Sequence, residues 1–67
     1  MSTASVAAAR IYIAMQENVR FHEKFVCSNE PYRAVIDEAR VCGLHYVEDG
    51  SEDYKQLVDC LEVLICN

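Results

Sequence analysis

Four cysteines and two histidines are the residues with the most chemistry to offer in this chain of 67 residues. A cysteine beside a histidine can become a nucleophilic thiolate, and cysteine and histidine together bind zinc. Cys27, Cys42, Cys60 and Cys66 lie 15, 18 and 6 positions apart, so there is no C-x-x-C pair and no zinc-ribbon or finger spacing. Free cysteines of this kind are expected to act as small buried hydrophobes. His22 falls on an apolar helix face and His45 in a short extended stretch. Each is read as half-buried and held by a backbone carbonyl. The acidic run Glu48, Asp49, Glu52 and Asp53 invites a calcium reading, but it lacks the alternating ligands and the closing glutamate of an EF-hand loop. Nor is so short a chain expected to enclose a catalytic pocket of roughly several hundred cubic ångströms. No metal, no cofactor and no catalytic residue is therefore expected.

The elements that would position these groups follow from hydrophobic period. Between Val6 and Val26, Ala8, Ile11, Tyr12, Met15, Val19, His22 and Val26 recur at steps of three and four, while Arg10, Glu17, Arg20 and Lys24 fall opposite. This pattern predicts one long amphipathic helix, capped by Thr3 or Ser5 and ended before Pro31. Pro31 opens a second helix, with Ser28 or Asn29 as cap, Glu30 favourable to its dipole and an apolar face of Tyr32, Val35, Ile36, Ala39 and Cys42. Gly43 supplies the left-handed stop. Leu44 and Tyr46, two apart in an extended stretch, are expected to tuck under the helices as a clasp. After the acidic turn, with Asp49 or Ser51 as cap, a third helix carries Tyr54, Leu57, Val58, Leu61, Leu64 and Ile65 on one face and Lys55, Asp59 and Glu62 on another. The expectation is a single all-α domain over residues 1–67: a small three-helix bundle with a short extended clasp between helices two and three.

Three segments in order, "ENVRFHEKF", "PYRAVIDEARVCGLHY" and "EDGSEDYKQL", carry a family resemblance. With the N-terminal helix before them, they resemble the Nif-eleven family. These are small nitrogen-fixation-associated proteins whose domain also serves as the leader of some ribosomal natural-product precursors. Ala39, Gly43, Leu44 and Tyr46 stand at the positions of that family's pattern of A-x-x-x-G followed by two spaced aromatic positions, with leucine at the first of the two, and the likeness spans about residues 6 to 64. Family leaders end in a double-glycine or small-residue cleavage site, and this chain has no glycine after Gly50. The resemblance therefore implies a stand-alone helical domain that is recognised by, or regulates, a partner enzyme.

Charge is unevenly spread. Residues 1–43 carry five basic and five acidic side chains, whereas residues 44–67 carry Lys55 against Glu48, Asp49, Glu52, Asp53, Asp59 and Glu62. The whole net charge of −5 thus sits in the last third. Such a surface repels a phosphate backbone, which argues against direct nucleic-acid binding, and it attracts and steers a basic protein surface. "STASVAAARIYIAM" is interrupted by Arg10 and lacks a preceding basic region, so neither a signal peptide nor a membrane span is expected. With unpaired cysteines this points to the cytoplasm. The expected function is non-enzymatic: a small acidic interaction protein that docks through those six acidic residues on a basic partner, as a phage or mobile-element inhibitor would. The Nif-eleven-like domain is the alternative, and a thiol or metal module a weaker one. The composition is also compatible with a homodimer.

Overall fold

The computed structural model describes residues 3–66. It contains four helices, α1 (Thr3–Glu17), α2 (Val19–Val26), α3 (Pro31–Val41) and α4 (Glu52–Cys66), and no strand among the described residues. The all-α expectation holds, but four helices stand where three were expected.

The extra helix comes from a break at Asn18. Its N–H still donates to the Ala14 carbonyl at 2.8 Å, closing α1, while its carbonyl accepts from the His22 N–H at 3.2 Å, opening α2. Between the two, Asn18 is extended (φ −125°, ψ 115°) and its Oδ1 accepts from the Arg20 N–H at 2.9 Å. Asparagine is among the strongest helix caps because its side chain satisfies an N–H that the first turn leaves unpaired. The break also shifts the helical phase. An unbroken helix would carry Val19, His22 and Val26 to the core, and all three are exposed. Phe21 is buried instead and Phe25 is half-buried, meeting Tyr32 of α3 edge to face with centroids 5.4 Å apart. Burial of Phe21 and the edge-to-face contact of Phe25 with Tyr32 stabilise the broken chain.

α1 packs chiefly on α4, and α2 on α3. On α1 the buried face is Ala4, Ala7, Ala8, Ile11 and Met15; its small residues bring the helix close to Leu57 and Leu61 of α4, both fully buried. Val35, Ile36 and Ala39 of α3 complete the core. The predicted face of the last helix is correct, with Tyr54, Val58, Leu64 and Ile65 partly buried around Leu57 and Leu61.

The caps divide. Pro31 opens α3 as expected, but Glu30 holds the cap position without a side-chain bond, and Ser28 Oγ accepts the Glu30 N–H at 3.1 Å. Thr3 and Ser5 both lie inside α1, whose cap position falls outside the described residues. Ser51 does cap α4: its Oγ accepts the Tyr54 N–H at 3.1 Å and donates to the Glu48 carbonyl at 2.7 Å. Gly43 stops α3 at φ +77°, its N–H donating to the Arg40 carbonyl (3.1 Å) while the Leu44 N–H donates to the Ala39 carbonyl (2.9 Å). Those two bonds form a Schellman closure, which needs the left-handed residue that glycine provides. Cys42, expected on the buried face, is the residue just past the helix and is exposed.

Candidate functional site

Residues 42–51 connect α3 to α4 without regular structure, and two side chains hold them in place. The expected clasp is met at one of its two residues: Leu44 is half-buried against the core, but Tyr46 is 85% exposed, and His45 (4% exposed) and Val47 (5%) are the buried side chains of this stretch. Hydrophobicity alone favours burying Leu44 and Tyr46, but the backbone decides, because a buried N–H and C=O need partners. The Val47 N–H donates to His45 Nδ1 at 3.0 Å, and the Val47 carbonyl accepts from Arg40 through Nη2 (2.8 Å) and Nε (3.2 Å). Because Nδ1 accepts, the proton sits on Nε2, which donates to the Ile36 carbonyl of α3 at 2.8 Å. The expectation of a carbonyl-bound histidine is met by His45. His22, by contrast, is exposed on α2.

Arg40 extends this frame to the acidic turn. It bonds Asp49 at 2.8 Å and Asp37, one turn back, at 3.1 Å, while Arg33 approaches Asp49 at 3.9 Å. The bond to Asp49, reinforced by the charges of Asp49 and Asp37, raises the affinity of the guanidinium for its proton against the opposing effect of burial. The same Asp49 charge, after burial, raises Tyr54 above the usual phenol range. Asp49 is thus tied to two cations of α3, one of which, Arg40, also pairs with Asp37 of its own helix.

The remaining predicted acids differ from Asp49. Among the described residues, Glu48, Glu52, Asp53, Asp59 and Glu62 have no cation within 4.0 Å, and all are exposed. Glu52 and Asp53 occupy the first turn of α4, where the exposed N–H groups favour negative charge by about 0.3 to 1 kcal/mol each. Asp59 and Glu62 lie farther along α4, about 10 and 15 Å from Glu52 at the helical rise. The structure therefore gathers Glu48, Glu52 and Asp53 beside the connector and leaves Asp59 and Glu62 apart.

Glu48 and Asp53 line an open groove of about 570 Å³ between the start of α1, the connector and the start of α4. Its other lining residues include Val6, Arg10, Leu44 and Tyr46, and Arg10 Nη1 reaches the Leu44 carbonyl at 3.5 Å. The groove is a surface feature and not an enclosed cavity. The sequence does not single out Tyr46 or Arg10 for this surface: the spacing of Tyr46 points it under the helices, and the period of α1 points Arg10 to solvent.

The cysteines are not buried as expected. Cys27, Cys42 and Cys66 are exposed and Cys60 is half-buried, all as free thiols. Cys66 Sγ lies 3.9 Å from the Tyr32 hydroxyl, and burial followed by this contact raises the Tyr32 phenol. No group of three metal-binding side chains converges among the described residues. No helix there is long and apolar enough to cross a membrane.

No protein-family model matches the chain, and no curated protein or solved structure matches it either.

Proposed function

We propose that this protein is a non-enzymatic interaction module that docks on a basic surface of a partner protein through the start of α4 and the connector before it. The observation that carries this reading is the set of exposed carboxylates at Glu48, Glu52 and Asp53, with no cation within 4.0 Å among the described residues, two of which, Glu48 and Asp53, line one groove with the exposed Tyr46. Unpaired surface charge steers association, and an exposed aromatic is the kind of side chain that anchors an interface. Asp59 and Glu62 extend the same charge along α4 and contribute to steering rather than to contact. Asp49 belongs to the frame, not to the contact. The reading places the protein in the cytoplasm, with its thiols reduced, and suits an inhibitor of a machine that normally holds nucleic acid on a basic surface. It is also compatible with a Nif-eleven-like domain read by a partner enzyme, in which the position of Tyr46 would serve recognition.

The test neutralises Glu48→Gln, Glu52→Gln, Asp53→Asn, Asp59→Asn and Glu62→Gln together, moving the net charge from −5 to zero. Proteins captured by the immobilised parent and variant are identified by mass spectrometry across a salt series. The parent is expected to retain a basic protein that salt releases, and the neutral variant to lose it. Equal retention of the same protein by both would refute the reading.

A further inference from the structure

The groove beside those carboxylates has a shape that a flat basic surface does not use. Val6 and Leu44, both half-buried, contribute apolar lining, Glu48 and Asp53 bring two carboxylates from the connector and α4, and Tyr46 adds a ring that is 85% exposed. Arg10 of α1 brings one guanidinium, directed at the Leu44 carbonyl at 3.5 Å, so the two carboxylates outnumber the cations of the lining. The volume of about 570 Å³ lies in the range of clefts that hold a drug-sized ligand. A purely cationic ligand would leave the apolar lining wet, and a purely apolar one would leave both carboxylates without a partner while desolvating them. Charge complementarity and apolar area are satisfied together by a chain segment in which an apolar side chain is flanked by lysine or arginine.

We propose that the groove binds such a segment: a basic peptide stretch of the partner that inserts an apolar side chain between α1 and the connector and sets its cations against Glu48 and Asp53. This rests on the reading of the acidic surface given above. It adds that the partner contributes a protruding segment rather than a flat face, with Tyr46 packing on the inserted side chain.

Three dye-labelled peptides of equal length test this by fluorescence anisotropy against the full chain. One alternates leucine and lysine pairs, the second has serine in place of leucine, and the third has glutamate in place of lysine. The leucine–lysine peptide is expected to bind, the serine–lysine peptide about tenfold or more weakly, and the leucine–glutamate peptide not at all. Tyr46→Ala and Val6→Trp should each weaken the first peptide about tenfold, the former by removing the ring and the latter by filling the groove. Melting and circular dichroism confirm that each variant is folded; if Val6→Trp is not, Tyr46→Ala decides, because that side chain lies outside the core. Equal binding of the two lysine peptides, unmoved by Tyr46→Ala, overturns the groove proposal and leaves the acidic-surface reading intact. Failure of both lysine peptides to bind the folded parent at low salt overturns the two together. Binding of the glutamate peptide as tight as that of the leucine–lysine peptide also overturns the proposal, since the carboxylates would then play no part.

Discussion

The two places where this chain leaves the helical path, Asn18 and residues 42–51, solve the same problem in opposite ways. At Asn18 the hydrogen-bond ladders of α1 and α2 meet on one residue, and a single exposed side chain satisfies the one added N–H. The surroundings are wet, so the arrangement depends on little else. In the connector, the backbone of Val47 passes through the interior and has no helical neighbour to pair with. Its N–H depends on His45 and its carbonyl on Arg40, and those two are anchored in turn on the Ile36 carbonyl and on Asp37 and Asp49. Losing a partner in water costs little, whereas losing one in the interior leaves an unsatisfied polar group. The same contrast separates a break that only redirects a helix from a connector that fixes where Tyr46, Glu48 and Asp53 stand.

That contrast orders the effects of substitution. As a reference for the core, Leu61→Ala should cost about 2 to 5 kcal/mol, since Leu61 is fully buried and a small domain has little stability in reserve. His45→Ala is expected to follow at about 2 to 4 kcal/mol, because it strips the Val47 N–H of its acceptor and leaves a void beside α3. Urea unfolding measures both, and near-parental stability of His45→Ala would show that the connector is not held from inside. Arg40→Ala should cost about 1 to 3 kcal/mol, since it removes both donors to the Val47 carbonyl and the tie to Asp49. At the other junction, Asn18→Ala should cost only about 1 kcal/mol, and Asn18→Asp or Asn18→Ser should restore most of it. If Asn18→Ala proved as damaging as His45→Ala, the distinction between the two junctions would fail.

The smallest expected effect is alkaline. Burial raises the phenols of Tyr54 and Tyr32, which are therefore protonated in the folded chain at pH values where the unfolded chain ionises them. Their contribution is complete below the ordinary tyrosine range near pH 10 and is lost as pH rises through the raised folded values. Ultraviolet titration of Tyr54→Phe and Tyr32→Phe should each remove a late-titrating component. A single early transition in the folded parent would contradict the burial of Tyr54 and Tyr32.

What the sequence made legible was local. Pro31 and Gly43 bound α3, Ser51 caps α4, and the face of Leu57 and Leu61 has a strong helical period, so each could be read within a few residues. The break at Asn18 was not legible, because the apolar period continues through it to Val19 and Val26 and competes with the period of Phe21 and Phe25. The parity of the connector was hidden for a different reason. Leu44 and Tyr46 are more apolar than His45, and it is the bonding of His45 to Val47 and Ile36, with that of Val47 to Arg40 seven positions back, that buries His45 and Val47 instead of Tyr46. The acidic third was visible as charge, but the removal of Asp49 from it depends on Arg33 and Arg40 of another helix. Burial of free cysteine is a general tendency, and the loop and terminal positions of Cys27, Cys42 and Cys66 override it.

The central claim is that the connector is a framed element that presents the docking edge, and amide hydrogen exchange at Val47 tests it directly. A connector held by His45 and Arg40 should protect the Val47 N–H to a degree comparable with the amides of α1 and α4, and His45→Ala should abolish that protection while those helices keep theirs. Exchange of the Val47 amide in the parent at the rate of an open loop would contradict the account.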